Sequence, residues 1–222
     1  MIEFIVRARS APVAADRFLE AIGTGVGVEY LADIVRHAIF VSQGHRKDTK
    51  ATLVLEKSQF YSRVVELDGS ILGSLPDLHE RALLQVISDA LRAAASLEKN
   101  ESVCDGRGIK VTAMSFEQLV KSRAEEQVVY VLDTSGQDIR SEQFPEDVVF
   151  VMTDHTPMPK NTYKSMARQG VRKLSLGPLM LHAAQCVTII HNELDRQPRA
   201  LLAITWRDLY TERRAWLLIG RP

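Results

Sequence analysis

Two continuous apolar runs, VVYVL at residues 128–132 and VVFVM at residues 148–152, constrain the fold of this chain more than any other feature. Both are rich in β-branched residues and show no polar alternation, which is the pattern of strands covered on both faces of a parallel sheet. A third strand, residues 171–176, runs into Gly177 and Pro178. Beyond them Leu179, Ala183, Cys186, Ile190 and Leu194 recur at helical spacing, so a helix is expected from Pro178 to Asp195 with one apolar face. The predicted fold is therefore α/β, a mostly parallel sheet with helices on both faces. In such sheets ligands gather where the strands end. The segments DTSGQ, TDHTPMP and SLGPLML should thus form one pocket. An ordinary strand–helix turn explains the glycine equally well, since no dinucleotide or P-loop spacing is present.

The remainder of the chain reads as further α/β elements. Residues 1–9 alternate as an opening strand; helices are expected around 13–22, 29–37 and 78–97; a hairpin is expected from strands 52–56 and 62–67. Residues 109–114 form another strand, after which Ser115 and Gln118 mark the start of a helix. GTGVG at residues 23–27 is a flexible turn, because no apolar strand leads into it. Cys104 and Cys186 are far apart and have no zinc-ligand spacing, which points to a reducing compartment and no bound metal. There is no secretory leader and no long apolar run, so a cytoplasmic protein that does not enter membranes is expected.

Formal net charge is zero, which excludes a protein that coats nucleic acid indiscriminately. Charge is nevertheless uneven: residues 155–192 hold no Asp or Glu, while Lys160, Lys164 and Arg168 fall at i, i+4 and i+8 of a helix expected to start near Pro159. That face either contacts phosphate or is simply solvated.

The segment LSLGPLMLHAAQCVTIIHNELD, residues 174–195, closely resembles the C-terminal signature of the SPOUT methyltransferases, in particular the tRNA pseudouridine N1-methyltransferase (TrmY-like) family and its bacterial branch. The similarity runs from Met1 to about Asp195. It implies a methyltransferase domain over 1–195 with a deep trefoil knot at about 128–195, S-adenosylmethionine (SAM) as cofactor, homodimers, and methylation of RNA, with pseudouridine in the T-loop of tRNA as the acceptor. Leu132, Thr153, Leu176, Gly177, Pro178, Leu179, Met180, Leu181 and Cys186 match the family's cofactor segments. Ser42, Arg46 and Asp48 match a Ser-His-x-x-Arg-x-Asp pattern in which Gln43 replaces the histidine. At Gly27, Val28 and Glu29 the family's archaeal arginine is missing, and Thr153 stands where those members carry glycine.

Residues 196–222 have no counterpart in that resemblance; Leu202, Trp206, Leu209 and Tyr210 suggest a helix that packs on the domain or a partner subunit. For the chemistry, N1 of pseudouridine must lose a proton, and Asp48, Glu29 and Asp154 are the candidate carboxylates. Arg46 would bind phosphate or stabilise developing charge. His155, His182 and His191 read as structural, and Cys186 as a pocket or packing residue. Three other readings stay open: the same fold acting on a different base, a dimeric SAM-binding protein without catalysis, and an unrelated α/β enzyme handling a phosphate ester.

Overall fold

In the computed structural model, which describes residues 1–75 and 77–197, the chain builds an eight-stranded sheet. In chain order its elements are β1 (Ile2–Pro12), α1 (Ala15–Glu20), α2 (Glu29–Ile39), β2 (Phe40–Val41), β3 (Gly44–His45), β4 (Thr49–Lys57), β5 (Arg63–Asp68), α3 (Glu80–Ala93), β6 (Ser102–Cys104), β7 (Ile109–Ala113), α4 (Phe116–Glu126), β8 (Val128–Asp138), β9 (Val148–Thr153), α5 (Lys160–Arg168), β10 (Arg172–Ser175) and α6 (Ala183–Arg196). Strand order is β10-β8-β9-β1-β4-β5-β7-β6; the first five strands run parallel and the last three are added antiparallel, while β2 and β3 form a separate two-stranded ribbon. Both VV runs lie inside the sheet, as their lack of alternation requires. Of the C-terminal extension expected over 196–222, Arg196 ends α6 and residues 198–222 lie outside the described residues.

The pleat of β1 sorts the two faces. Ile2, Phe4, Val6 and Ala8 point into the larger core, shared with residues of α1, α2, α3 and α6. Ile5 points the other way, into a smaller core with Phe116, Leu119 and Val120 of α4 and Met166 of α5. On that second face β1 also carries Glu3 and Arg7, both nearly inaccessible to water. Buried charge persists only when paired. Arg7 is held by Glu56 and Glu117, each 2.9 Å from Nη2, donates to Thr162 Oγ1 at 3.0 Å, and lies 4.3 Å from the Phe116 ring centroid. Glu3 accepts from Arg123 and from Thr52 Oγ1 at 2.6 Å. Across the first face an aromatic column, Phe4–Phe150 at 5.7 Å and Phe150–Tyr130 at 5.9 Å, locks β1, β9 and β8 together.

Two features differ from the sequence reading, and both shape the loops at the strand ends. First, β8 does not stop at Leu132. Lys173 pairs with Val131 and the next residue, Leu174, pairs with Gln137, so Leu132 to Gly136 bulge out of the ladder before β8 resumes. Gly136 is required there: a Cβ would sit 2.5 Å from the Leu174 nitrogen. Second, α6 begins at Ala183 rather than at Pro178. His182 is its N-cap, and Gln185 Oε1 accepts the His182 N–H at 3.0 Å. Gly177 takes φ +125°, so Gly177 and Pro178 turn the chain without starting a helix. Leu179 and Met180 are thus not part of a helical face; they are 74% and 90% exposed.

Candidate functional site

The C-terminal ends of β8, β9 and β10 open into a cavity of about 540 Å³, within the range of ordinary small-molecule sites. It is lined by Leu132 from the β8 bulge, Thr153 from the end of β9, and Leu176, Gly177, Leu179, Met180, Leu181 and Cys186 from the segment that leads into α6. All of these were expected from the sequence to contact the cofactor. Pro178, expected with them, is exposed and outside the lining. Sequence reasoning also placed the three loops at one pocket, and residues from DTSGQ, TDHTPMP and SLGPLML do meet there.

Much of the wall is apolar, and its polar points include two carboxylates, Asp133 and Asp154, beside Thr134, Thr153, His155, Tyr163 and His182. Asp133 Oδ1 accepts from the Ser135 hydroxyl at 2.6 Å and from the Ser135 N–H at 2.8 Å, while Lys173 Nζ lies 2.9 Å from Oδ2. These hydrogen bonds, Ser135's first and then Lys173's, hold its carboxyl down at about 2. Asp154 is the opposite case. Its side chain is 2% exposed, its Oδ1 accepts the Thr156 N–H at 2.7 Å, and His155 Nδ1 is 3.7 Å away. Burial outweighs those contacts and raises its carboxyl above the usual range. Cys186 is pushed up to about 11 by burial, so it is a neutral wall residue and no nucleophile at physiological pH.

The other candidate catalytic residues are not gathered at the cavity. Asp48 immediately precedes β4, and its carbonyl accepts the Ile2 N–H at 2.7 Å. Ile2 pairs with Val148 at the start of β9, whereas Arg7 pairs with Thr153 at its end. Five residues of strand separate those levels, roughly 16 Å at about 3.3 Å per residue. Arg46, at the same end as Asp48, donates through both terminal nitrogens to the Asp195 carboxylate near the end of α6, with Nη1 2.9 Å from Oδ1. That hydrogen bond raises its pKa further. The Glu29 carboxylate accepts the Gly23 N–H and closes the GTGVG turn. Of the four carboxylate and arginine candidates, only Asp154 reaches the cavity, because burial and strand direction, rather than spacing in the sequence, decide which end of the sheet a residue occupies.

Lys160, Lys164 and Arg168 are all exposed on α5, whose N-cap is Pro159. None lines the cavity, though Met158 and Tyr163 beside them do. Asp133 could have been found from Asp-x-Ser in the loop after a buried strand, a signature of side-chain-closed turns. No local signal marks Tyr30, which α2 brings beside His155 and His182. His191, by contrast, matches its structural reading: it is buried, with Nε2 2.9 Å from the Ala38 carbonyl. Among the described residues no cluster of three or more His, Cys, Asp or Glu could hold a metal, and no helix is long and apolar enough to cross a membrane.

Comparison with known proteins gives one consistent picture. Residues 1–199 match a family described as "Putative SAM-dependent RNA methyltransferase". A protein of Photobacterium profundum named "Putative pseudouridine methyltransferase" is 42% identical over 195 residues, covering 88% of this chain and 98% of the relative. A Vibrio cholerae protein of the same name is 41% identical over 197 residues, covering 89% and 98%. Among solved structures, Archaeoglobus fulgidus Nep1 bound to S-adenosylhomocysteine superposes with a TM-score of 0.52 at 8% identity, over 88% of this chain and 96% of that one, a likeness of fold.

Proposed function

Because the chain belongs to the SAM-dependent RNA methyltransferase family, we propose that it methylates N1 of pseudouridine in the T-loop of tRNA, working in the cytoplasm as a homodimer. The observation that carries the reading is the cavity at the ends of β8, β9 and β10, lined by eight of the nine residues that the resemblance assigns to the cofactor. The acceptor is suggested by the name shared by the Photobacterium and Vibrio relatives.

The cavity suits the methyl donor in size and chemistry. Leu132, Leu176, Leu181 and Cys186 offer an apolar cleft for an adenine face, and Gly177 leaves open space, with nothing among the described residues within 4 Å of where a Cβ would be. Asp133 stays ionised and can accept from hydroxyl or ammonium groups. SAM, when bound, supplies a methyl group on a sulfonium, which reacts with a nitrogen once that nitrogen is aligned and deprotonated. The protein's contribution is then positioning, exclusion of water and acceptance of a proton. Asp154 is the cavity's candidate base. The α5 residues Lys160, Lys164 and Arg168 would hold the RNA backbone outside.

Two further parts of the proposal concern the C-terminal region. The exposure of Leu179 and Met180 beside α6 supports burial against a second copy. A trefoil knot over about residues 128–195 is supported by the place of β10 outside β8 and by the tight backbone passage at Gly136.

Radiolabelled methyl transfer to tRNA carrying pseudouridine, compared with the same transcript carrying uridine, tests the acceptor. Labelling of the pseudouridine form alone is expected; equal labelling would redirect the activity to another base, and SAM binding without any labelling would leave a non-catalytic binding protein. Gly177→Ala tests the cavity by calorimetry. At φ +125° any side chain is strained by about 1–3 kcal/mol, so SAM affinity should fall at least several-fold; wild-type affinity in this variant would remove the cavity assignment.

A further inference from the structure

A second cavity, of about 490 Å³, lies between α2 and α6 and shares Asp154, His155, Leu181, His182 and Ala183 with the first. Its outer rim is aromatic. Tyr30 is 43% exposed as a residue, and its ring lies nearly parallel to that of His182, with centroids 6.0 Å apart and planes at 16°; it is 5.4 Å from His155. Gly27, at φ +69°, makes this cluster possible, because a Cβ there would lie 2.9 Å from both the Tyr30 and His155 rings. Among the described residues no Lys or Arg lines either cavity. The Asp33 carboxylate accepts from the Arg36 guanidinium, and His37 Nδ1 lies 2.8 Å from the Asp33 backbone carbonyl. What remains is a half-open aromatic shelf beside a buried carboxylate that also faces the donor cavity.

We infer that this second cavity receives the acceptor nucleobase, with Tyr30 and His182 as the surface it stacks on and Asp154, in the wall between the cavities, as the group that takes its N–H proton. The inference rests on the methyltransferase reading above and adds the acceptor side to it. In the transfer, the ring nitrogen forms its bond to the methyl carbon as the carbon–sulfur bond breaks; sulfur keeps that electron pair, the sulfonium charge is discharged, and the N–H proton passes to the Asp154 carboxylate. A base can reach such a cavity only from an unpaired or extruded nucleotide. The Asp154 carboxyl, raised by burial, is a stronger base than an exposed aspartate.

Three variants, Tyr30→Ala, Tyr30→Phe and Asp154→Asn, test the assignment by three readouts: SAM affinity by calorimetry, binding of a pseudouridine-containing T-arm hairpin to cofactor-free protein by fluorescence anisotropy, and turnover. Base stacking is worth about 1–3 kcal/mol, so Tyr30→Ala should weaken hairpin binding and raise KM by roughly 5- to 150-fold, with SAM affinity within twofold of wild type. Tyr30→Phe, which keeps the ring, should recover most of that loss. Asp154→Asn should bind SAM and hairpin within twofold of wild type and turn over on the order of 10²–10⁴-fold more slowly. Hairpin binding unchanged by Tyr30→Ala, an equal loss of SAM affinity in that variant, or wild-type turnover by Asp154→Asn would each overturn the assignment. Wild-type protein that binds the hairpin through Tyr30 but transfers no methyl group would instead remove the methyltransferase reading and leave the cavity's ligand in place.

Discussion

At the scale of single residues, burial sets the charge state of His191 more than neighbouring charges do. His191 is buried against Phe4, with ring centroids 5.0 Å apart, and its Nδ1 has no hydrogen-bond partner among the described residues. Burial first, and then the nearby Arg46 guanidinium, push it down to about 4 from 6.5. It is therefore neutral in the fold at pH 7, and its depressed value means that the unfolded chain takes up the proton first. The stability it protects is complete above pH 6.5 and is lost as pH falls toward 4. At pH 5 the loss is about 2 kcal/mol. Urea denaturation at pH 7 and pH 5 should show that loss in wild type and much less of it in His191→Gln, whose side-chain amide can still donate to Ala38. Arg7 is the second residue whose removal has a calculable cost. Arg7→Met would leave Glu56 as a partly buried carboxylate with its partner gone, a change expected to cost about 3–5 kcal/mol, measured as a drop in the denaturation midpoint with SAM affinity unaffected.

At the scale of elements, α5 is the one whose exposed face can be tested independently of the cavities. Lys164→Glu combined with Arg168→Glu should weaken tRNA binding without changing SAM affinity, and the defect should shrink as salt rises, because each lost phosphate contact lowers the salt slope by roughly 0.7–0.9. That face was legible in the sequence: Lys160, Lys164 and Arg168 sit four residues apart in a stretch without carboxylates, and all three are exposed on the helix. The interior strands were legible for the same kind of reason, since a strand buried on both faces cannot hide its apolar composition. The start of α6 was not. Gly177–Pro178 satisfies the rules for a helix start, yet the cap is made five residues further on by His182 and Gln185, a pair whose side chains only show their purpose once the chain is folded. The bulge in β8 was hidden for a related reason: its register is fixed by β10, and nothing in DTSGQ itself states where pairing resumes. Arg46 and Asp48 illustrate the limit for sites. Residue type fitted the chemistry, but strand direction carries them to the end of the sheet away from the cavity, where Arg46 is bound to Asp195.

At the scale of the whole molecule, the exposed Leu179 and Met180 and the family resemblance together lead to an expected homodimer. Light scattering at micromolar concentration should report about twice the 24.9 kDa chain mass. Replacing Leu179 and Met180 with serine should shift that mass toward the single chain while leaving the denaturation midpoint of the subunit nearly unchanged, because neither side chain is buried within it. The position of β1 has a further consequence, in the order of synthesis. Of the described strands this one is made first, yet it lies in the middle of the sheet between β4 and β9. Its β4 edge can be satisfied once Thr49–Lys57 has been made, whereas its other edge waits for Val148–Thr153. A nascent chain that has passed β7 but not β9 therefore exposes a long, apolar, unpaired strand edge. A fragment ending at Gln127 should aggregate on release from ribosomes while one ending at Gln197 stays dispersed, so β9, made later, acts as the cover for β1.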